Sequence, residues 1–292
     1  MNEIILNERQ YAETAIEHGY VGNNIYVTLS ILAKYYYHIE HIKHKNICKK
    51  LKAFLETSYP KYRLMKSDMD NAVDDIAKDL KNKRLYEIYG VPITKAELKT
   101  ISSIGNKALE RFAFTLLCLA KYNNLKNQNN NDWVVQDPSL IFKISRANGN
   151  NIYDKCLNYN GLYKLGLIEL AKKNENTNVR VLFVDHTGEC EIFIDDFREL
   201  GNEYRLIRGE SYSRCLECGR LFKDSKYKPR KFCKDCTGYI PMVTKRIVCE
   251  SCGVEFTIPA KNNRTTMCNK CAESKRKNDA KIRKRKSREI TA

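Results

Sequence analysis

Along the first hundred residues apolar side chains recur at three- and four-residue steps, the period of helices with one buried face. NERQYAETAIEHG (7–19) ends on a glycine, as a helix stop should. IYVTLSILAKYYYHIEHI (25–42) has an apolar face, and ICKKLKAFLETSYP (47–60) stops before Pro60. SDMDNAVDDIAKDLKNK (67–83) sets Met69, Val73, Ile76 and Leu80 on one face. Ser67 with Asp70, and Thr94 with Glu97, have the spacing of capping boxes. Between them RLYEIYGVPIT reads as a short β-hairpin about Tyr89-Gly90.

The next block is built differently. KALERFAFTLLCLAKY (107–122) is apolar nearly all round, the pattern of a buried helix. An Asn-rich loop follows at 123–132, then WVV (133–135) as a short strand. DPSLIFKISR starts a helix, with Asp137 as cap and Pro138 in the first turn. NNIYDKCLNYNGLYKLG (150–166) is a longer helix ending on Gly166, and LIELAKK and VRVLFVD are strands about NENTN. Helix, strand, helix, helix, hairpin is the order of a winged helix, whose third helix can enter the major groove. Asn150, Asn151, Lys155 and Asn158 are then candidate DNA contacts, since Asn can read adenine and Lys guanine or phosphate. The same residues also fit an ordinary solvated helix face, and the same order occurs in protein-interaction modules. The first block has the outline of a degenerate copy, with helices at 25–42, 47–58 and 67–82 and a hairpin at 84–93. A second break falls near 201–213, GNEYRLIRGESYS, where both periods stop.

Beyond that break the pattern is set by cysteine. Cys215 and Cys218 are followed by Cys233 and Cys236, and Cys249 and Cys252 by Cys268 and Cys271. A Cys-x-x-Cys turn aims two thiolates at one point, and two such turns complete a tetrahedron around zinc. CLECGRLF and CESCGVEF align, with Gly219 and Gly253 after each second cysteine, where a metal turn needs positive φ. Phe222 and Phe256 follow, each expected beside its metal. Two consecutive four-cysteine sites are favoured over interleaved ones, because each half reads as a full repeat. An iron centre of the rubredoxin type uses similar ligands. Four protein ligands leave no open position, so two structural Zn2+ ions are expected rather than a catalytic one. Cys48, Cys118, Cys156 and Cys190 are scattered, and Cys118 and Cys156 read as core residues.

Charge sharpens the picture. The net charge is +17, from 52 Lys and Arg against 35 Asp and Glu. Residues 205–292 carry 24 basic and 9 acidic side chains, so nearly all the excess lies in the cysteine-rich end. Two four-thiolate zinc centres would lower the total to about +13, with Arg214, Lys231, Lys234 and Lys270 nearby. AESKRKNDAKIRKRKSRE (272–289) has little apolar content and is expected to be disordered or a fraying helix by itself. Lys275, Arg276, Lys277, Lys281, Arg283, Lys284, Arg285, Lys286 and Arg288 are candidate phosphate contacts, which give affinity and salt sensitivity rather than sequence choice. Tyr212, Phe222, Tyr227, Phe232 and Tyr239 interleave with basic residues and are candidates for base stacking.

Other chemistry is thinly signalled. His38, His41 and His44 drift around a helix and read as a solvated stripe. Asp185, Glu189 and Glu191 fit a hairpin about Thr187-Gly188, and Asp195 a helix cap, although a metal nuclease could use such a set. No phosphate-binding glycine loop is present. No stretch has the roughly 20 apolar residues of a membrane span, and MNEIILNERQ lacks signal-peptide character. A cytoplasmic protein with reduced thiols is expected.

LNERQYAETAIEHG, ERFAFTLLCLAKY, DDFRELGNEY and RCLECG together resemble a group of phage and prophage proteins of low-GC Gram-positive bacteria. The resemblance covers most of residues 1–236 and implies no mechanism, since that group has no assigned activity.

The expected fold is therefore mainly α with small β-hairpins. It comprises a helical domain (1–104), a winged-helix-like domain (105–204), zinc ribbons at 212–240 and 245–273, and a basic tail (274–292). The function expected is non-enzymatic nucleic-acid binding, with DNA ahead of RNA, as in a regulator or replication factor of a mobile element. A protein-interaction adaptor for a host protein is the alternative, and a metal-dependent nuclease centred on 185–196 the third reading. No membrane partner is expected, and the oligomeric state is open.

Overall fold

The computed structural model describes residues 4–147, 151–172, 177–224, 229–237, 244–259 and 265–290. The chain divides into two compact units, Met1–Arg214 with Arg220–Arg230, and Cys215–Gly219 with Lys231–Ala292. The fold is mainly helical, with small antiparallel strand pairs, as the sequence indicates.

Four helices build the first core: α1 (Glu8–His18), α2 (Ile25–His38), α3 (His44–Ser58) and α4 (Lys66–Ala77). The Asn7 side chain caps α1 by accepting from the Gln10 N–H, and Gly19, at φ 61°, ends it. Leu29, Leu32, Ile47, Leu51, Leu55 and Val73 are fully buried together. Two details depart from the sequence reading. The helix expected to reach 42 stops at His38, and His41 is left-handed (φ 52°), so His38, His41 and His44 share no helix. Ser67 caps nothing. Asp70 instead accepts the hydroxyl of buried Tyr62 at 2.6 Å, because a phenol taken out of water needs a partner.

The second core surrounds α6 (Lys107–Lys126), whose residues from Glu110 to Asn123 are all buried. Phe112 stacks on Phe142 at 4.7 Å and meets Tyr159 edge-on at 5.0 Å. Before α6 come β1 (Val91–Thr94) and α5 (Lys95–Ser102), joined by a complete Thr94–Glu97 capping box. Glu97 is fully buried, yet its carboxylate accepts from the Thr94 N–H, the Asp185 N–H and Lys121 Nζ, the last at 2.8–2.9 Å. A buried charge is tolerated on those terms only.

After α6 the chain forms β2 (Trp133–Val134), α7 (Pro138–Ser145), α8 (Ile152–Lys164), β3 (Ile168–Leu170) and β4 (Val179–Val181). The three strands make one antiparallel sheet in the order β2-β4-β3. Asp137 accepts from the Ser139 N–H and Pro138 opens α7, as expected.

Three further expectations are corrected. The 84–93 hairpin does not form. β1 pairs instead with β5 (Cys190–Ile194), about a hundred residues away. Gly90 permits the approach: a Cβ there would lie 2.4 Å from the Ile194 carbonyl oxygen. Without that hairpin the first block is not a copy of the second. The break at 201–213 contains a helix, α9 (Leu200–Ile207), whose Leu200 and Tyr204 enter the second core. Its Gly201 lies so close to Ser145 that a Cβ would sit 1.8 Å from that residue's carbonyl oxygen. Asp195 does not cap α9; Asp196 accepts from the Arg198 N–H and guanidinium just before it.

From α9 the chain enters β6 (Tyr212–Arg214), paired with β7 (Leu221–Lys223). Arg205 donates to the Tyr212 hydroxyl at 2.6 Å, and Arg214 to Glu203 at 2.8 Å, so this strand is fastened to α9. The second unit contains β8 (Thr244–Val248) paired with β9 (Glu255–Pro259), and α10 (Asn269–Ile290). Its buried residues, among those described, are Cys215, Cys233, Cys249 and Ile258.

Candidate metal centres and basic helix

The eight cysteines gather consecutively into two sets, Cys215, Cys218, Cys233 and Cys236, and Cys249, Cys252, Cys268 and Cys271. In each, the four sulfurs lie within 4.8 Å of one another. Cys218 and Cys233 Sγ are 3.7 Å apart, as are Cys252 and Cys268 Sγ. A regular tetrahedron with metal–sulfur bonds near ~2.3 Å has edges of about 3.8 Å. A disulfide would bring the sulfurs to about 2 Å, and all twelve cysteines are free. Each set can hold one metal ion, and four soft thiolates with no open position fit zinc well.

The two sites are built by the same backbone bonds. Gly219 N–H donates to Cys215 O and Gly253 N–H to Cys249 O, both at 2.9 Å. Those glycines have φ of 68° and 69°. Leu216 N–H donates to Lys231 O and Glu250 N–H to Thr266 O, both at 3.0 Å, which ties each first turn to the second. The buried apolar residues of the strands that follow the first turns are Leu221 and Ile258. Phe222 is half-buried with the Arg230 guanidinium 5.0 Å above its ring, and Phe256 is half-buried.

Electrostatics at the sulfurs favour a cation. Burial pushes the Cys215 thiol up, but the N–H groups of Cys218, Cys233 and Glu217 outweigh it and bring it down to about 6. The Cys268 N–H, 3.3 Å from Cys249 Sγ, is the main cause of a value near 6 for Cys249. Cys236 is raised, first by its hydrogen bond with Cys218 and then by burial. One thiolate forms readily in each set and opposes the next; a divalent ion removes that conflict.

The second centre also starts α10. Cys268 precedes the helix and Cys271 lies in its first turn, with the Ala272 N–H on Cys268 O at 3.0 Å. The tail expected to be disordered or fraying is thus helical from the metal site outward, about 33 Å of helix at 1.5 Å per residue. Lys275, Arg276 and Lys277 are exposed on it, and Lys277 pairs with Glu273 one turn back at 2.9 Å. Lys281, Arg283, Lys284, Arg285, Lys286 and Arg288 continue the same helix, and their side chains lie outside the described residues. Arg214, expected near the first centre, is committed to Glu203.

The other predicted residues are scattered. Asn151 caps α8, accepting from the Asp154 N–H at 2.8 Å. Lys155 lies over the Phe142 ring at 5.7 Å. Asn158 is buried and donates to Asp154 O, so its amide is turned from solvent, contrary to a base-reading role. Asn150, Tyr227 and Tyr239 lie outside the described residues. Tyr212 is occupied by Arg205, and Phe232 is exposed. What α8 does present is apolar: Ile152 is 80% and Tyr153 69% exposed, with Leu157 and Tyr163 beyond them. Cys156 is exposed with them rather than buried in the core. Among the carboxylates, Asp185 accepts from the Thr187 and Gly188 N–H groups, which lowers its pKa. That is a turn and not a hairpin, since β4 ends at Val181 and β5 belongs to another sheet. Among the described residues, only the two cysteine sets bring three or more metal-binding side chains together.

Comparison with family models, curated proteins and solved structures finds no significant match. The resemblance to phage proteins therefore adds nothing to the site. Among the described residues no helix is long and apolar enough to cross a membrane. The cysteine geometry gives the C-terminal region two four-cysteine groups that could each hold a metal ion, an arrangement consistent with tandem zinc ribbons.

Proposed function

We propose that this chain is a non-enzymatic zinc protein that binds nucleic acid, DNA ahead of RNA, through its C-terminal unit. The observation that carries the reading is the junction of the second four-cysteine site with α10. Cys268 and Cys271 fasten the first turn of a helix that bears Lys275, Arg276 and Lys277 on exposed positions. A basic helix held at one end by a metal loses less freedom on meeting a polyanion than a free tail would. Zinc in both sites supplies structure, standing in for the apolar core that each short ribbon lacks. The α6–β2–α7–α8–β3–β4 order supports a winged-helix assignment for the middle block, with a role in presenting or docking rather than base reading by Asn158.

The test is a fluorescence-anisotropy titration of duplex DNA and of RNA at several salt concentrations, with the full chain and with Lys275→Gln/Arg276→Gln/Lys277→Gln. The full chain should bind with a steep salt dependence and leave the DNA uncut in Mg2+. The triple variant should bind less tightly, with a log–log salt slope shallower by about 2–3. Absence of binding, or an unchanged slope, contradicts the reading.

A second reading, a protein-interaction adaptor, is favoured by one observation, the exposed apolar face of α8 at Ile152, Tyr153, Leu157 and Tyr163. It calls for a nuclease-resistant partner whose capture is lost in Ile152→Lys/Tyr153→Lys and kept in the tail variant.

A further inference from the structure

The helical body holds a cleft of about 820 Å³ between α2, the segment after α4 and the end of α6. Its charged lining is all basic: Lys34, Lys83, Arg84 and Lys126, with no Asp or Glu among the lining residues. Lys34 is matched by Glu8, and Lys83 donates to Ile76 O at 3.0 Å. Lys126 differs. Its ammonium lies 4.6 Å from the Tyr86 ring centre and 5.3 Å from that of Tyr122, and it makes no close ion pair and no hydrogen bond among the described residues. Burial lowers its pKa, and the nearby Glu8 carboxylate, already paired with Lys34, offsets this only in part, the mark of a cation that has lost water without a full counter-ion of its own. Arg84, exposed at the mouth, also has no partner among the described residues. The Tyr86 ring lies near both Lys126 and Lys34, whose ammonium groups are 4.6 and 5.7 Å from its centre, and gives the cleft an aromatic surface. The volume is that of a site for a small molecule rather than a single ion.

We infer that this cleft binds a phosphate-bearing ligand of nucleotide size, with Lys126 and Arg84 on the phosphates. Such an anion completes the shell of Lys126 with charge-assisted hydrogen bonds, and several cations around one site suit a multiply charged phosphate better than a monoanion. The phosphate can belong to a free nucleotide or to the 5′ end of a nucleic-acid strand. This site is separate from the C-terminal ribbons and does not depend on their binding nucleic acid.

Isothermal titration of the full chain with ATP, and with a 5′-phosphorylated single-stranded hexanucleotide, tests the inference. ATP should bind the wild type, and Lys126→Gln and Arg84→Gln should each weaken it about tenfold or more. The Lys275→Gln/Arg276→Gln/Lys277→Gln protein should bind ATP like the wild type, which separates this site from the tail. Circular dichroism confirms that each variant folds, and exposed Arg84 is the substitution least able to disturb the core. Strand binding that falls in Lys126→Gln and survives the tail substitutions supports the site with a strand end as its source; ATP binding alone supports it with a free nucleotide. Binding of neither ligand, or binding of each ligand that is equal in wild type and both cleft variants, overturns it, whatever the tail does with DNA.

Discussion

The body and the C-terminal unit solve the same problem with different materials. In the body, two apolar clusters bury the inward faces of the helices, and α6 is enclosed over most of its length. In the C-terminal unit three of the four buried residues described are cysteines. One region holds its shape by removing hydrocarbon from water, the other by gathering sulfur. A chain can thus carry a strongly basic helix on a unit with almost no core, provided that a cation fixes the sulfurs.

Metal removal should break the comparison open. Chelation under reducing conditions should abolish the fold of the C-terminal unit, with loss of helical signal from the 22-residue α10. The body should persist, which the fluorescence of Trp133, the only tryptophan and a body residue, reports by itself. A single joint transition would show that the two regions are not built on different principles. The converse experiment is Glu97→Ala, which strands Lys121 in the core. It should cost the Trp133 transition about 3–5 kcal/mol and leave metal content unchanged.

A third effect concerns pH. Burial raises Glu203 to about 7, against the opposing pull of Arg214. Its folded pKa exceeds the ordinary carboxylate value, so its contribution is complete below about pH 4.5 and lost as pH rises through 7. Between those values the wild-type body should lose up to about 3 kcal/mol that Glu203→Gln does not lose. Parallel pH profiles for the two proteins would contradict this. The smallest effect belongs to the ribbon turns. Gly253 has φ 69°, and a Cβ added there would meet no atom within 4 Å, so Gly253→Ala meets backbone strain alone. It should lower the stability of the metal-bound unit by about 1 kcal/mol, measured by competition with a chelator.

What could be read from the sequence follows the same division. The ribbons were legible because their signals are local: two cysteines at a fixed step, then a glycine that must take positive φ. Local signals in the body were equally clear, among them the Thr94–Glu97 box, the Asp137–Pro138 start and the apolar run of α6. Long-range pairing was not. Nothing near Tyr89 shows that Val91–Thr94 will find Cys190–Ile194, and the hairpin expectation fails for that reason. Period alone also misjudged which face of α8 is buried, since Asn158 faces in while Ile152, Tyr153 and Cys156 face out. The cationic cleft draws Lys34, Arg84 and Lys126 from three separate segments and leaves no motif at all.

Elemental analysis of the full chain, purified under reducing conditions, tests the central claim most directly, joined to X-ray absorption at the zinc edge. The account predicts about two zinc ions per chain, each with four sulfur neighbours near ~2.3 Å. A metal-free protein with eight reactive thiols in the C-terminal unit, or zinc bound to nitrogen and oxygen, would contradict it.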